Sequence, residues 1–207
     1  MNIDLLAAAL GFGVLLISLT IHEAAHAWSA DKLGDPTARM LGRVSLNPIV
    51  HIDPIGTLLL PIIATLTGLP LIGWAKPVPV AVRNLRNPRR DFMIVAAAGP
   101  ISNILQAIVA SLVFRAVLSA GVGQPLVLSV LGEAVLVNLM LAFFNLIPVP
   151  PLDGGNVALG LLPPRVAALY GQVSQYGFLI LYALMYTGTA SAIIFPPTNF
   201  FMRILLP

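Results

Sequence analysis

The residues best placed to do chemistry together are His22-Glu23-Ala24-Ala25-His26. Two histidines four positions apart in a helix lie on one face. That spacing presents two imidazole nitrogens to a single Zn²⁺ ion. The glutamate between them stands beside such a site and suits a general base acting on a metal-activated water. The chain has only 3 histidines, so chance would produce this pattern on the order of once in a few thousand shuffles. The plainer reading is an interfacial cap, with the three side chains bonding loop backbone. Ionisable groups are costly inside an apolar span and mark function by default, which favours the metal.

The element that carries the motif is an apolar run from Leu5 to about Trp28, and the composition explains its character. The chain has 207 residues, 58% of them hydrophobic and 9% charged, where a soluble domain is about 25% charged. So few charges cannot cover a water-soluble surface, and so apolar a chain does not stay disordered. The class is an all-α polytopic membrane protein, read as a single membrane-embedded domain over residues 1–207. The sequence has no cysteine, which excludes disulfides and thiolate metal sites. Any metal must be held by His, Asp, Glu or backbone oxygen. The net charge is only +3, and the basic residues fall in loops. They read as topology signals, and no nucleic-acid partner is expected. The N-terminus lacks a basic region and a cleavage site, so the first apolar run is expected to stay as a membrane helix.

Five apolar segments follow one another: Leu5 to about Trp28, Thr57–Trp74, Phe92–Ala120, Leu126–Ile147 and about Val166–Phe195. A spanning helix needs about 20 apolar residues, which all but the second supply easily. The second contains Pro61 and Pro70 and is flanked by basic stretches. Lys32, Arg39 and Arg43 precede it; Lys76, Arg83, Arg86, Arg89 and Arg90 follow it. The positive-inside rule draws both flanks to the cytoplasm. Segment 57–74 is therefore expected to be re-entrant and buried against protein, the alternative being a short tilted span. Segment one then runs inward, segment three outward, segment four inward and segment five outward. The tail near Pro196-Pro197 returns partway.

A catalytic zinc takes a third protein ligand. The candidates are Asp31, Asp35, His51, Asp53, Asp91, Glu133 and Asp153. Ser29 and Lys32 stand where a metzincin would carry Gly and His. Asp153 fits best. It ends the stretch Asn145-Leu-Ile-Pro-Val-Pro-Pro-Leu-Asp153-Gly154-Gly155, whose prolines stop the fourth helix and extend the backbone. Such a broken segment at membrane depth is tolerated around a buried site, and the topology puts it on the same side as His22 and His26. The plainer reading is a turn with Asp153 as an N-cap.

At this point the chain resembles the site-2 proteases, intramembrane zinc metalloproteases, in a short branch without PDZ or CBS domains. Three motifs carry the resemblance, in family order: His22-Glu23-x-x-His26, then Ala98-Gly99-Pro100-Ile101-Ser102-Asn103, then Asn145-x-x-Pro148-x-x-Pro151-x-Asp153-Gly154. Gly73-Trp74-Ala75-Lys76-Pro77-Val78-Pro79-Val80 is also similar. The match runs over about residues 5–165 and loosens through 166–207. The resemblance implies a core of three helices around one Zn²⁺ held by His22, His26 and Asp153. It also implies Glu23 as general base and hydrolysis of peptide bonds in or beside the transmembrane helix of a membrane-protein substrate. Asn145 resembles the family asparagine near the metal, a candidate oxyanion donor. Asn103 either lines the cavity or bonds across helices.

Other polar residues carry their own expectations. His51 and Asp53 either line the substrate entrance or form a turn, with the turn favoured. Lys76–Val80 avoids helix and either offers an edge to an unwound substrate or is a surface loop. Arg115 and Glu133 fall at similar depth in neighbouring antiparallel helices and are expected to pair. A second function class is a metal- or proton-transporting membrane protein using the same cluster. It lacks an inverted repeat and has no need of Glu23. A prokaryotic plasma membrane, with the site toward the cytoplasm, is the expected location.

Overall fold

The computed structural model describes residues 5–60, 63 and 75–207. Eight α-helices occur among them: α1 (Leu5–Lys32), α2 (Thr37–Met40), α3 (Pro88–Ser119), α4 (Pro125–Asn145), α5 (Asp153–Leu161), α6 (Pro164–Val173), α7 (Gly177–Tyr186) and α8 (Thr189–Leu205). Helices α1, α3 and α4 have 28, 32 and 21 residues. At about 1.5 Å per residue each exceeds the roughly 30 Å hydrocarbon core. These three are long and apolar enough to cross a membrane, and a bent α6–α7 plus α8 pair makes up to four. The chain is a multi-pass membrane protein.

Proline starts α3, α4 and α6, where its missing N–H costs nothing. Helix α3 is central, packed on α1, α4 and α5. Small buried residues at the crossings, Ala27, Ala96, Gly99, Ala107 and Ala142 among them, let the backbones approach closely, as membrane helices require. Large apolar side chains such as Leu112 and Phe178 point outward, where lipid would cover them.

Three expectations meet the structure here. The fifth apolar segment is not one helix. It is divided into α6, a 3-10 turn over Ser174–Tyr176 and α7. The bend into α8 comes at Gly188, whose φ of +75° suits glycine. The bend is 71°, and Pro196 and Pro197 lie inside α8 and not at the turn. Segment 57–74 lies mostly outside the described residues; its start, Pro54–Leu59, is a π-helical turn. The Arg115–Glu133 pair is not formed. Arg115 Nε and its Nη2 donate to the carbonyls of Leu205 and Ile204 at 2.9 and 2.8 Å. The cation thus serves the C-terminal carbonyls of α8, a site its charge favours. Glu133 lies against Gly11 of α1, where any Cβ would meet its carboxylate.

Candidate metal centre

Helix α1 turns polar in its second half: Ser18, Thr20, His22, Glu23, His26 and Ser29 are all buried. Thr20 and Ser29 return their hydroxyls to carbonyls of their own helix, Leu16 and His26. The histidines instead face α3. Their partners there are Val95 and Asn103, with Gly99 midway, so one stripe of α3 at four-residue spacing receives both rings. His22 meets the later residue and His26 the earlier one, so α1 and α3 run antiparallel, as the topology requires.

Asp153 arrives from the other side. After α4 the chain passes through Pro148, Pro150 and Pro151, with a cis Pro150–Pro151 peptide. Ile147 and Leu152 are buried together with Ala190 and Ile194 of α8, and this apolar anchor fixes both ends of the broken segment. Tyr170 adds a hydrogen bond from its hydroxyl to the Pro148 carbonyl at 2.8 Å. Asp153 is then the first residue of α5, and its carboxylate points at the histidines.

The three donor atoms form a tight triangle. Nε2 of His22 and Nε2 of His26 are 3.1 Å apart, and Asp153 Oδ2 lies 3.2 and 3.4 Å from them. A tetrahedral zinc with ligands at about 2.0–2.1 Å has donor–donor edges of about 3.3–3.4 Å. The orientation of the rings supports the same reading. His22 Nδ1 is 2.6 Å from Asn103 Oδ1 and His26 Nδ1 is 2.7 Å from the Val95 carbonyl. Both Nδ1 atoms therefore donate, and both Nε2 atoms carry lone pairs. Asp153 Oδ2 is buried with no hydrogen-bond partner. Three lone pairs converging in a buried space repel one another, and a cation is what such a donor set fits.

Glu23 is buried, 9% exposed, and its carboxylate has no hydrogen bond to another described residue, so it stays available. Asn103 is fully buried and bonds His22 across the α1–α3 interface. Asn145 is half-buried and donates one amide N–H to the Leu141 carbonyl of its own helix at 3.0 Å; it does not touch the triangle. Asp53 is a turn residue, accepting from the N–H groups of Ile55 and Gly56. His51 is buried and donates from Nε2 to the Ser45 carbonyl at 2.8 Å. The Lys76–Val80 segment has no regular secondary structure. Its Lys76 N–H donates to the His51 carbonyl, and the buried Arg43 guanidinium donates to the Lys76 and Pro77 carbonyls. Sequence reasoning missed Val95, whose carbonyl orients His26, and Ser18 and Asn138, which hold Asn103. A polar Asn in an apolar span was the available signal for Asn138.

An all-α multi-pass membrane protein with a His–His–Asp centre of zinc type is the class this fold and site define. Comparison with known proteins makes it specific. The profile of peptidase family M50 matches residues 119–187. The chain is 38% identical over 192 residues to a Bacillus subtilis protein named "Putative zinc metalloprotease YwhC", covering 89% of this chain and 84% of that one. It is 31% identical to a Rip2 protein of Mycolicibacterium smegmatis and 30% identical to one of Mycobacterium tuberculosis, each carrying the same description. Those alignments cover 83% and 84% of this chain but only 64% and 65% of the mycobacterial proteins. No solved structure matches the chain. The chain belongs to peptidase family M50, as its resemblance to the site-2 proteases implies, and its enzyme class is zinc metalloprotease.

Proposed function

We propose that this protein is an intramembrane endopeptidase that hydrolyses peptide bonds in or next to the transmembrane helix of a membrane-protein substrate. The observation that carries the reading is the buried triangle of His22 Nε2, His26 Nε2 and Asp153 Oδ2, with edges of 3.1–3.4 Å, beside an unbonded glutamate. His22, His26 and Asp153 would hold one Zn²⁺. When bound, zinc lowers the pKa of water to about 7 and polarises a carbonyl. Glu23 takes the proton that the attacking water loses and delivers it to the leaving amine. Asn103 holds His22 with Nε2 free. Asn145 has a second amide N–H, which we assign to the oxyanion that develops on the scissile carbonyl.

The substrate must arrive unwound, because helical carbonyls are already bonded and shielded. The non-helical Lys76–Val80 segment, tied down by Arg43, would offer backbone groups to such a strand. The basic loop residues support a site on the cytoplasmic side of a bacterial plasma membrane, in a protein that works as one membrane-embedded domain in the lipid bilayer. The test compares purified wild type with Glu23→Gln for zinc content and for cleavage of a helical membrane substrate. The expected result is zinc in both and cleavage only by wild type. Equal cleavage by both would overturn the role of Glu23. Absence of zinc from wild type would overturn the metal centre.

A further inference from the structure

A hydrogen-bonded chain leads away from the metal ligands into the middle of the bundle, and its polarity is determined. Asn138 of α4 is buried and 3% exposed. Its Nδ2 donates to the Ala134 carbonyl and to Ser18 Oγ, both at 2.9 Å. The Ala134 carbonyl has no proton and can only accept, which fixes the orientation of the Asn138 amide. Asn138 Oδ1 then faces Asn103 and accepts from its Nδ2 at 2.8 Å. The same Nδ2 lies 3.5 Å from the Ser18 carbonyl, a second acceptor. Both donors of Asn103 are thereby committed, and its Oδ1 must be the atom 2.6 Å from His22 Nδ1. An amide oxygen can only accept, so His22 carries its proton on Nδ1 and its lone pair on Nε2.

We infer that Asn138, acting through Asn103, is a positioning residue that sets the tautomer of His22 and with it the strength of metal binding. The inference rests on the zinc reading above. Asn138 touches no ligand itself. Reversing the Asn138 amide would set its Oδ1 against the Ala134 carbonyl, acceptor against acceptor, and a flipped Asn103 would present N–H groups to His22 and favour the proton on Nε2. Outer partners of metal-binding histidines typically change affinity by about 10–100-fold. Asn138 lies one link further out, and a loss of about tenfold is expected. Gln106 supplies the control. Its Nε2 donates to the same Ser18 carbonyl at 3.4 Å, yet it makes no hydrogen bond to His22, Asn103 or Asn138.

The experiment uses the full-length protein in detergent, as wild type, Asn138→Leu and Gln106→Leu. Ring ¹⁵N spectra of the metal-free protein at alkaline pH report the tautomer, and with 3 histidines in the chain the signals are assignable. Zinc affinity is read by competition with a chelator, and thermal unfolding monitors stability. The expected result is a single Nδ1–H form of His22 in wild type and Gln106→Leu. Asn138→Leu should show a mixed or Nε2–H form and about tenfold weaker zinc binding. A folded Asn138→Leu with the wild-type tautomer and affinity overturns the inference. So does a Gln106→Leu that shifts both readouts equally, because helix packing would then explain them. If Asn138→Leu does not fold, the smaller Asn138→Val is read by the same criteria. A wild type that binds no zinc sinks the metal reading instead, and the tautomer comparison still decides the network.

Discussion

Gly99 of α3 stands directly against the ring of His22: a Cβ built there would lie 2.6 Å from His22 Nε2, and it would also collide with His26 Nε2. The glycine walls one side of the His–His–Asp triangle, and a methyl group would occupy space next to the donor atoms.

Gly99→Ala therefore separates two effects with opposite signs. In a helix interior alanine is favoured over glycine by about 0.8–1.0 kcal/mol. Here the added methyl must displace both ligands, an overpacking cost of about 1–3 kcal/mol. If it falls on the metal-bound arrangement, that corresponds to about 5–150-fold weaker zinc binding. Chelator competition on the purified variant measures this directly. Wild-type affinity in Gly99→Ala would mean that the rings yield and that the wall is not rigid.

The two asparagines should fail in different ways. Asn103→Leu removes the acceptor from His22 Nδ1 and should weaken zinc binding by about 10–100-fold. Asn145→Ala, whose side chain bonds only Leu141 within the described structure, should leave zinc affinity unchanged. If it supplies an oxyanion donor it should lower kcat by about 10²–10³. Zinc titration alongside turnover distinguishes them, and an Asn145→Ala that loses zinc would show the two assignments to be interchanged.

Much of the site was legible because its chemistry is concentrated in short motifs. His22 and His26 share a helix face by spacing alone, and the prolines before Asp153 announce a broken segment. What could not be read were contacts made between distant elements. Val95 contributes a carbonyl, which no side-chain pattern reveals. Arg115 and Glu133 have matching depth, but depth does not say which way a side chain faces. The true partner of Arg115 is the end of α8, which follows the 71° bend at Gly188. That bend was obscured by Pro196-Pro197, a stronger breaker on paper, which α8 accommodates while Thr198 bonds the Ile194 carbonyl at 2.8 Å.

Arg115 should accordingly matter to the fold and not to the metal. Arg115→Met keeps the aliphatic stem and removes the donors to Leu205 and Ile204. The end of α8 then loses its cation, the Ile204 carbonyl loses its bond from Arg115 and the Leu205 carbonyl keeps only that from Ser111 Oγ, a loss of about 1–3 kcal/mol. A lower thermal midpoint in detergent with unchanged zinc affinity is expected. Weakened zinc binding at full stability would place Arg115 in the site.

Asp35 gives the fold a pH dependence outside the membrane spans. Burial by itself pushes its carboxyl upward. Hydrogen bonds from Thr37, from the Asn84 side chain and from the Ala81 N–H outweigh burial and leave it below the ordinary carboxylate value. These bonds tie the loop after α1 to the segment before α3. A carboxyl whose folded pKa is depressed stabilises the fold above its unfolded pKa of about 3.9, and that stabilisation is lost as pH falls from there through the folded value. Thermal unfolding followed from pH 7 downward should show a drop in midpoint beginning near pH 4. Asp35→Asn should lower the midpoint at pH 7, because its amide would face the Ala81 N–H donor to donor, at a cost of about 1–3 kcal/mol. The variant should also show a shallower acid limb. An equal acid limb in wild type and Asp35→Asn would assign the acid sensitivity to another carboxylate.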